Sequence, residues 1–390
     1  MAVSERVGRA PSIMVAVMVG VVGVVLVASH WSFWMVDFAV YFAGGHAVLD
    51  GAHLYTLSVD TAAFHDMPFT YPPFAALFFS PVSTLGFTPA NLLWTLLNVA
   101  AVAATLWLAL DLLHQRKAAV IATPIALLLT PVLMTIVLGQ LNIVLMLLVL
   151  LDFWPRLPER WRGVAIGVAA GLKLTPLIFV GYLLCVGRIK DAIRAAVAFA
   201  ATVGVAFLVL PADSRDYWFG GIFFDAGRMA VSDQLVNHSI PGFMARLVGA
   251  TSAPSVWVWL PLCLVVTAAG LAVAARAQRR GDTLLGVLVV AFTALLVSPV
   301  SWDHHFVWIA PALVWLAVTR HRVALVIAAL WFTLPVNWLS KQLGDGFQVT
   351  PLGNLFVTVT GYVGIVAIGL AFSVTWARTP GTRDTARSAG

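Results

Sequence analysis

Charge is what this 390-residue chain has least of. Only 10% of its residues are Asp, Glu, Lys or Arg, against 61% hydrophobic ones and a mean hydropathy of +0.95. A soluble domain carries about 25% charged residues, so a soluble fold is excluded. Cysteine is nearly absent as well. Cys185 and Cys263 both fall inside apolar helical patterns, which excludes a disulfide framework and reads as two buried small residues. No HEXXH or comparable ligand spacing exists, so no metal is expected. A glycine-rich phosphate loop and an Asp-x-Asp pair are also missing, which argues against a nucleotide–metal complex as substrate. No internal repeat of fixed period is visible, and the first apolar run does not end like a cleaved signal peptide.

Long apolar runs fill the space that charge leaves. They cover Pro11–Trp34, Ala90–Leu110, Ala118–Leu138, Val256–Ala274, Leu284–Val300, Val323–Leu339 and Leu355–Phe372. Uncharged runs of roughly 18 or more residues predict membrane-spanning helices. The expectation is an all-α polytopic membrane protein with about ten to twelve spans. Its single integral-membrane domain would cover residues 1–376, and a basic tail at 377–390 would be disordered.

The basic residues set an orientation. Eighteen of the 23 Lys and Arg lie in short clusters such as Arg116/Lys117, Arg156/Arg160/Arg162 and Arg276/Arg279/Arg280. The segments between them hold ten aspartates. The positive-inside rule then places both termini in the cytoplasm and Asp37 on the outer face of a plasma membrane. It also explains a pI near 9.7 without nucleic acid as a partner. Two pairs of apolar stretches are interrupted, at Gly139-Gln140-Leu141-Asn142 and around Lys173 and Pro176. They predict broken or re-entrant helices, tolerated at membrane depth only where they face protein or a wet cavity.

Polar chemistry collects in three outer segments, residues 37–87, 211–250 and 298–305. Asp37, at the mouth of the first helix, is a functional candidate by default, because a desolvated carboxylate is costly there; a solvated helix-end acid is its bland counterpart. Asp50 before Gly51 reads as a turn residue. Asp303, His304 and His305 place three titratable groups in one short stretch, suited to an anion or a hydroxyl. Lys173 is a lone ammonium in "AAGLKLTPLIF", either snorkelling to the interface or facing a lipid phosphate. Gln140 and Asn142 can bond the free backbone of their own break or reach a ligand. Asn237 and His238, with Ser239, can cap the following helix or bind a polyol. Tyr41 and Tyr71 offer aromatic faces and hydroxyls for a sugar.

Six blocks, in order, carry a resemblance: "VDFAVYFAGGHAVLDGAHLY", "PFTYPPFAALFFSPV", "LGQLNIVLMLLVLLD", "AAGLKLTPLIF", "NHSIPGF" and "SPVSWDHHFVW". Together they resemble the polyprenol-phosphate-mannose-dependent α-mannosyltransferases of glycosyltransferase family 87, which act in phosphatidylinositol-mannoside and lipomannan assembly. The resemblance implies a GT-C fold, a polyprenyl-phospho-mannose donor, a glycolipid acceptor among membrane lipids, and no cofactor. It implies that Asp37 is catalytic and that His304, His305, Lys173 and Asp303 bind the donor. Tyr41, Tyr71, Gln140, Asn142, Asn237 and His238 are the acceptor-side candidates. It further implies inversion and α-1,2 products. A transferase using another polyprenyl-phospho-sugar such as arabinose, a transporter, and a non-catalytic lipid-binding protein are the competing expectations.

Overall fold

The computed structural model describes residues 35–61, 64–224, 237–247 and 255–333. Among these residues the chain is helical, and its one β-bridge joins Val59 to Met67. Three helices are long and apolar enough to cross a membrane: α3 (Phe87–Leu112), α9 (Ile189–Val209) and α12 (Val256–Arg279). A fourth crossing is available if α4 (Ala119–Ala126) and α5 (Thr130–Leu138), bent by 70° at their junction, form one broken span. This is a membrane protein.

The sequence runs and the helices differ in instructive ways. The run Ala90–Leu110 becomes α3, and Val256–Ala274 becomes α12, which continues through a further, arginine-bearing stretch to Arg279. Composition did not mark α9 as a span, because Lys190, Asp191 and Arg194 crowd its first turn, where the rest is apolar. Leu284–Val300 yields only a 15-residue helix, α13 (Thr283–Val297), about 22 Å long. Several other apolar stretches likewise fold as helices of 10–17 residues, too short to span alone. Among the described residues, several stretches expected to span are thus shorter apolar helices. Runs Pro11–Trp34 and Leu355–Phe372 and the tail 377–390 lie outside the described residues, and Val323–Leu339 is described only to Thr333, as α15 (Arg322–Thr333).

The chain divides into two compact units. The first holds residues up to Leu177, Lys190–Val231 and His304–Leu334. Its core centres on α1 (Val36–Asp50), which packs on α2 (Pro73–Ser83) and meets α3. Tyr41 stacks on Phe79 at 4.7 Å with the rings 5° apart, and Phe38 stacks on Trp94 at 6.2 Å. The close contact between α1 and α2 is possible because Gly45 presents bare backbone to α2, while Gly44 makes room for the Phe69 ring. A Cβ on Gly45 would stand 2.9 Å from the Phe79 backbone carbonyl and strike the Ser83 hydroxyl. Ser83 Oγ in turn donates to Phe42 O, 2.9 Å away. Pro72 and Pro73 stand at the start of α2, where a missing N–H costs nothing, and Gly51 ends α1 in the left-handed conformation at φ 69°, donating to Ala47 O. Asp50 is thus the last residue before that turn.

Behind α1, α6 (Asn142–Asp152) and α7 (Val164–Leu172) run side by side. Buried Asp152 accepts from the backbone N–H of Gly163 at 2.9 Å and Ile166 at 2.7 Å, supplying from a distance the cap that the N-terminus of α7 lacks locally. The remaining helices of this unit are α9, α10 (Pro211–Trp218), α14 (Ile309–Val318) and α15.

The second unit holds Ile178–Ile189 and Ser232–Asp303 among its described parts. Here α12 and α13 form a hairpin joined at Arg280–Asp282, with Asp282 Oδ1 accepting from Leu285 N at 3.0 Å. α8 (Ile178–Cys185) packs on both, and α11 (Ile240–Leu247) packs against α12. Gly286 makes room for the Tyr182 hydroxyl. Both cysteines are free and helical; Cys263 is buried as expected, but Cys185 is exposed, because it sits on the outer face of the last turn of α8.

Gly45→Ala should destabilise the protein by about 1–3 kcal/mol, since its new methyl meets a helix backbone that cannot yield. Gly51→Ala meets no neighbour and should cost only the left-handed backbone penalty of about 1 kcal/mol. Thermal unfolding of the two variants in detergent measures the difference.

Candidate active site

The site in the first unit begins at the break between α5 and α6. Gly139 ends α5 in the left-handed conformation at φ 72°, and Trp94 Nε1 donates to its carbonyl at 2.7 Å. Gln140 N donates back to Thr135 O at 2.9 Å. These bonds fix the strand of backbone from which two amide side chains, Gln140 and Asn142, project in different directions. A Cβ on Gly139 would stand 2.8 Å from Met35 Sδ and strike the Phe38 side chain, so the break approaches the start of α1 closely.

Asp37 lies in the first turn of α1, where unsatisfied backbone N–H groups favour a negative charge. Met35 N donates to Val137 O at 2.8 Å and ties this start to α5. The Gln140 amide and the charge of Lys173 both favour the ionised form of Asp37. Burial outweighs both and pushes its carboxyl up from the ordinary value to about 6. Such a carboxyl is mostly ionised at neutral pH yet basic enough to take a proton, and it is partly exposed, as a proton acceptor needs to be.

Tyr41, one turn further along α1, has its hydroxyl 2.9 Å from Gln140 Oε1 and 2.9 Å from the Tyr71 hydroxyl. Burial, with the charge of Asp37 beside it, pushes the Tyr71 phenol far above its ordinary range. Tyr55 donates to Tyr71 O at 2.9 Å and stacks on Tyr217 at 5.7 Å, so the aromatic wall continues into α10.

Lys173 is the residue at which α7 stops, its backbone extended. Its Nζ donates to Asn142 Oδ1 at 3.2 Å, lies 3.4 Å from His305 Nε2, and sits 5.8 Å from the Tyr71 ring centre. The ammonium does not snorkel away; it turns inward over an aromatic face. Asn142 Nδ2 donates to His304 O at 3.0 Å, and Thr135 Oγ1 donates to the same carbonyl at 2.6 Å. The His304 and His305 rings meet edge to face at 4.6 Å.

Asp37, Tyr41, Tyr71, Gln140, Asn142, Lys173, His304 and His305 are therefore one neighbourhood of the first unit. Asp303, Asn237 and His238 belong to the second. There His238 Nε2 donates to Asp303 Oδ1 at 2.6 Å. Asn237 Oδ1 accepts from Ser239 Oγ and Ser301 N, and Asn237 Nδ2 donates to Pro299 O. Ser239 Oγ accepts from Gly242 N at 3.2 Å, the cap expected for α11. Sequence reasoning singles out neither Thr135 nor Trp94. A threonine and a tryptophan inside apolar helices carry no local signal of a long-range hydrogen bond. Among the described residues no cluster of three or more His, Cys, Asp or Glu is arranged to hold a metal.

Comparison with known proteins agrees with this picture. Residues 69–299 match the model of glycosyltransferase family 87. The chain is 37% identical over 349 residues to a polyprenol-phosphate-mannose-dependent α-(1-2)-phosphatidylinositol pentamannoside mannosyltransferase of Mycobacterium tuberculosis, covering 83% of this chain and 79% of the relative. It is 35% identical over 329 residues to a polyprenol-phosphate-mannose-dependent α-(1-2)-phosphatidylinositol mannoside mannosyltransferase of Mycolicibacterium smegmatis, covering 77% of this chain and 72% of that one. A protein of the latter description from Mycobacterium tuberculosis is 32% identical, over 80% of this chain and 77% of its own length. With more than two thirds of each of these chains covered, the protein is a glycosyltransferase and belongs to glycosyltransferase family 87.

Proposed function

We propose that this enzyme transfers mannose from polyprenyl-phospho-mannose to a phosphatidylinositol-mannoside acceptor, inverting the anomeric centre and forming an α-1,2 linkage, with Asp37 as general base. The carrying observation is the convergence of one carboxylate with one ammonium and one imidazole, Asp37 with Lys173 and His305, in a single neighbourhood. The substrates named for its relatives fit that set. In the reaction the acceptor hydroxyl oxygen attacks the anomeric carbon, its proton passes to Asp37, and the bond from that carbon to the phosphate oxygen breaks. The polyprenyl phosphate leaves as an anion.

One base is enough for this chemistry. Sugar-chain hydrolases need a second carboxyl group because their leaving alcohol must be protonated; a phosphate leaves without a proton. It needs positive charge instead, and Lys173 and His305 supply donors 3.4 Å apart that can share one phosphate. His304 contributes through its backbone, held by Thr135 and Asn142. His238 and Asp303 engage each other, which suits them to shaping the 298–303 segment. We place the site on the non-cytoplasmic face of the plasma membrane, in a multi-pass protein with cytoplasmic termini, because the basic clusters and the aspartates segregate that way along the sequence. The lipid tail of the donor then stays in the bilayer while its sugar meets an acceptor from the aqueous side.

Purified enzyme incubated with labelled polyprenyl-phospho-mannose and a phosphatidylinositol mannoside tests the proposal. Mannosylated glycolipid should accumulate together with free polyprenyl phosphate; uptake into vesicles without chemistry would instead indicate a transporter. Asp37→Asn should bind donor and lose about 10²–10⁴-fold in kcat. A base works only when ionised, so the rate should fall as pH drops through about 6, where Asp37 takes up its proton. Lys173→Met should lose about 10²–10³-fold in kcat/KM, because charge on the departing phosphate is no longer met; steady-state kinetics with varied donor reads this directly.

A further inference from the structure

We propose that Asn142 is a positioning residue for the donor phosphate, its side-chain amide fixing where the Lys173 ammonium stands relative to His305. This rests on Lys173 and His305 meeting that phosphate, as proposed above.

The orientation of the amide follows from its two neighbours. An ammonium only donates, and a carbonyl only accepts. Asn142 Oδ1 therefore accepts from Lys173 Nζ at 3.2 Å, and Asn142 Nδ2 donates to His304 O at 3.0 Å. A flipped amide would lose both bonds at once. The partners lie 31 and 162 residues away along the chain, so one short side chain ties three segments together. It does so from the first turn of α6, which takes no side-chain cap. Asn142 is buried, and its amide serves these distant partners rather than the free backbone of its own break.

Neither partner is well fixed without it. A lysine ammonium rides on a flexible four-carbon stem, and α7 has stopped where Lys173 begins. His304 and His305 lie in the short 3₁₀ stretch Asp303–Trp308, whose backbone leaves helical geometry at Phe306. The His304 carbonyl is held by side chains instead, Asn142 and Thr135, the latter at 2.6 Å. Fixing that peptide fixes where the next residue starts, and His305 Nε2 stands 3.4 Å from Lys173 Nζ. Among the described residues, Asn142 and His305 are the hydrogen-bonding neighbours of Nζ, so an ammonium N–H remains for a phosphate oxygen. A neutral amide also sets the ammonium in place without cancelling its charge, as a carboxylate there would do. Asn142 thus belongs to the donor side of the site.

Asn142→Leu keeps the branched shape and removes both hydrogen bonds. In the purified enzyme with labelled polyprenyl-phospho-mannose and a phosphatidylinositol mannoside, kcat/KM for donor should fall about 10–100-fold, as misplacement of a charged group predicts, while KM for acceptor changes less than about threefold. If Asn142 acts through Lys173, adding Asn142→Leu to Lys173→Met should lower kcat/KM by less than about threefold more. A folded Asn142→Leu enzyme with the wild-type kcat/KM for donor overturns the inference. So does a loss that falls equally on donor and acceptor, or one that multiplies in full with the loss in Lys173→Met. Asn142→Ala, which adds no bulk, takes the same measurements if Asn142→Leu does not fold. If Lys173→Met loses activity toward donor and the Asn142 variant does not, only the positioning role fails. If Lys173→Met keeps the wild-type value, the reading of the phosphate site itself fails.

Discussion

Two opposite charges kept near each other in an apolar surround, yet not neutralised by contact, are the constraint on which this molecule is built. Asp37 and Lys173 come from chain segments more than 130 residues apart. Each is costly to bury alone, and a direct ion pair would repay that cost but take both charges out of the proposed reaction. The helix break at 139–142 resolves the conflict. Unwinding frees backbone groups that Trp94 and Thr135 satisfy, and it projects two neutral amides, one toward each charge. The tight approach of α1 to this break follows from glycine at position 139, and that of α1 to α2 from glycine at 45. Small residues on one side of the site thus set the distances of the polar ones on the other.

Much of this was legible in the sequence, and the reasons are physical. Helical fold, membrane location and the two breaks follow from apolar run length and from where charge interrupts it. Turn and cap chemistry is local, so Pro72-Pro73, Gly51 and Asn237-His238-Ser239 announce their structures. Asp37, Lys173 and the paired histidines stand out because unbalanced charge in an apolar chain is expensive. What stayed hidden is everything that depends on partners far away in sequence. Thr135 holding the His304 carbonyl, and Asp152 capping a helix eleven residues on, look like ordinary helix residues. Helix ends inside apolar runs were hidden for another reason: hydropathy averages over kinks such as the 70° bend between α4 and α5, whereas a helix does not. Gln140 and Asn142 were visible as polar residues at a break, but their division of labour required coordinates.

The relation to glycosyltransferase family 87 and the geometry constrain different things. Family membership fixes the class of enzyme and, through its relatives, the chemistry to look for. The matched residues 69–299 contain the break and Lys173 but not Asp37 or the two histidines. The packing of α1 and the contacts of His304 and His305 with α5, α6 and Lys173 bring those three to the matched part. Geometry thus gathers in one neighbourhood residues that lie beyond the matched stretch.

The unequal hairpin of the second unit has its own consequence. α12 is 24 residues long, about 36 Å, whereas α13 runs back along it for only 15. The chain therefore quits α13 about 14 Å short of its partner's far end. Side chains from two stretches tie down the turn that follows. Ser301 Oγ reaches Leu295 O, Ser298 Oγ reaches Val300 O, and Asn237 ties down Ser301 N and Pro299 O. The "NHS" and "SPVS" stretches thereby brace each other, and a polar side chain lost from either would unpin the backbone that leaves the shorter helix.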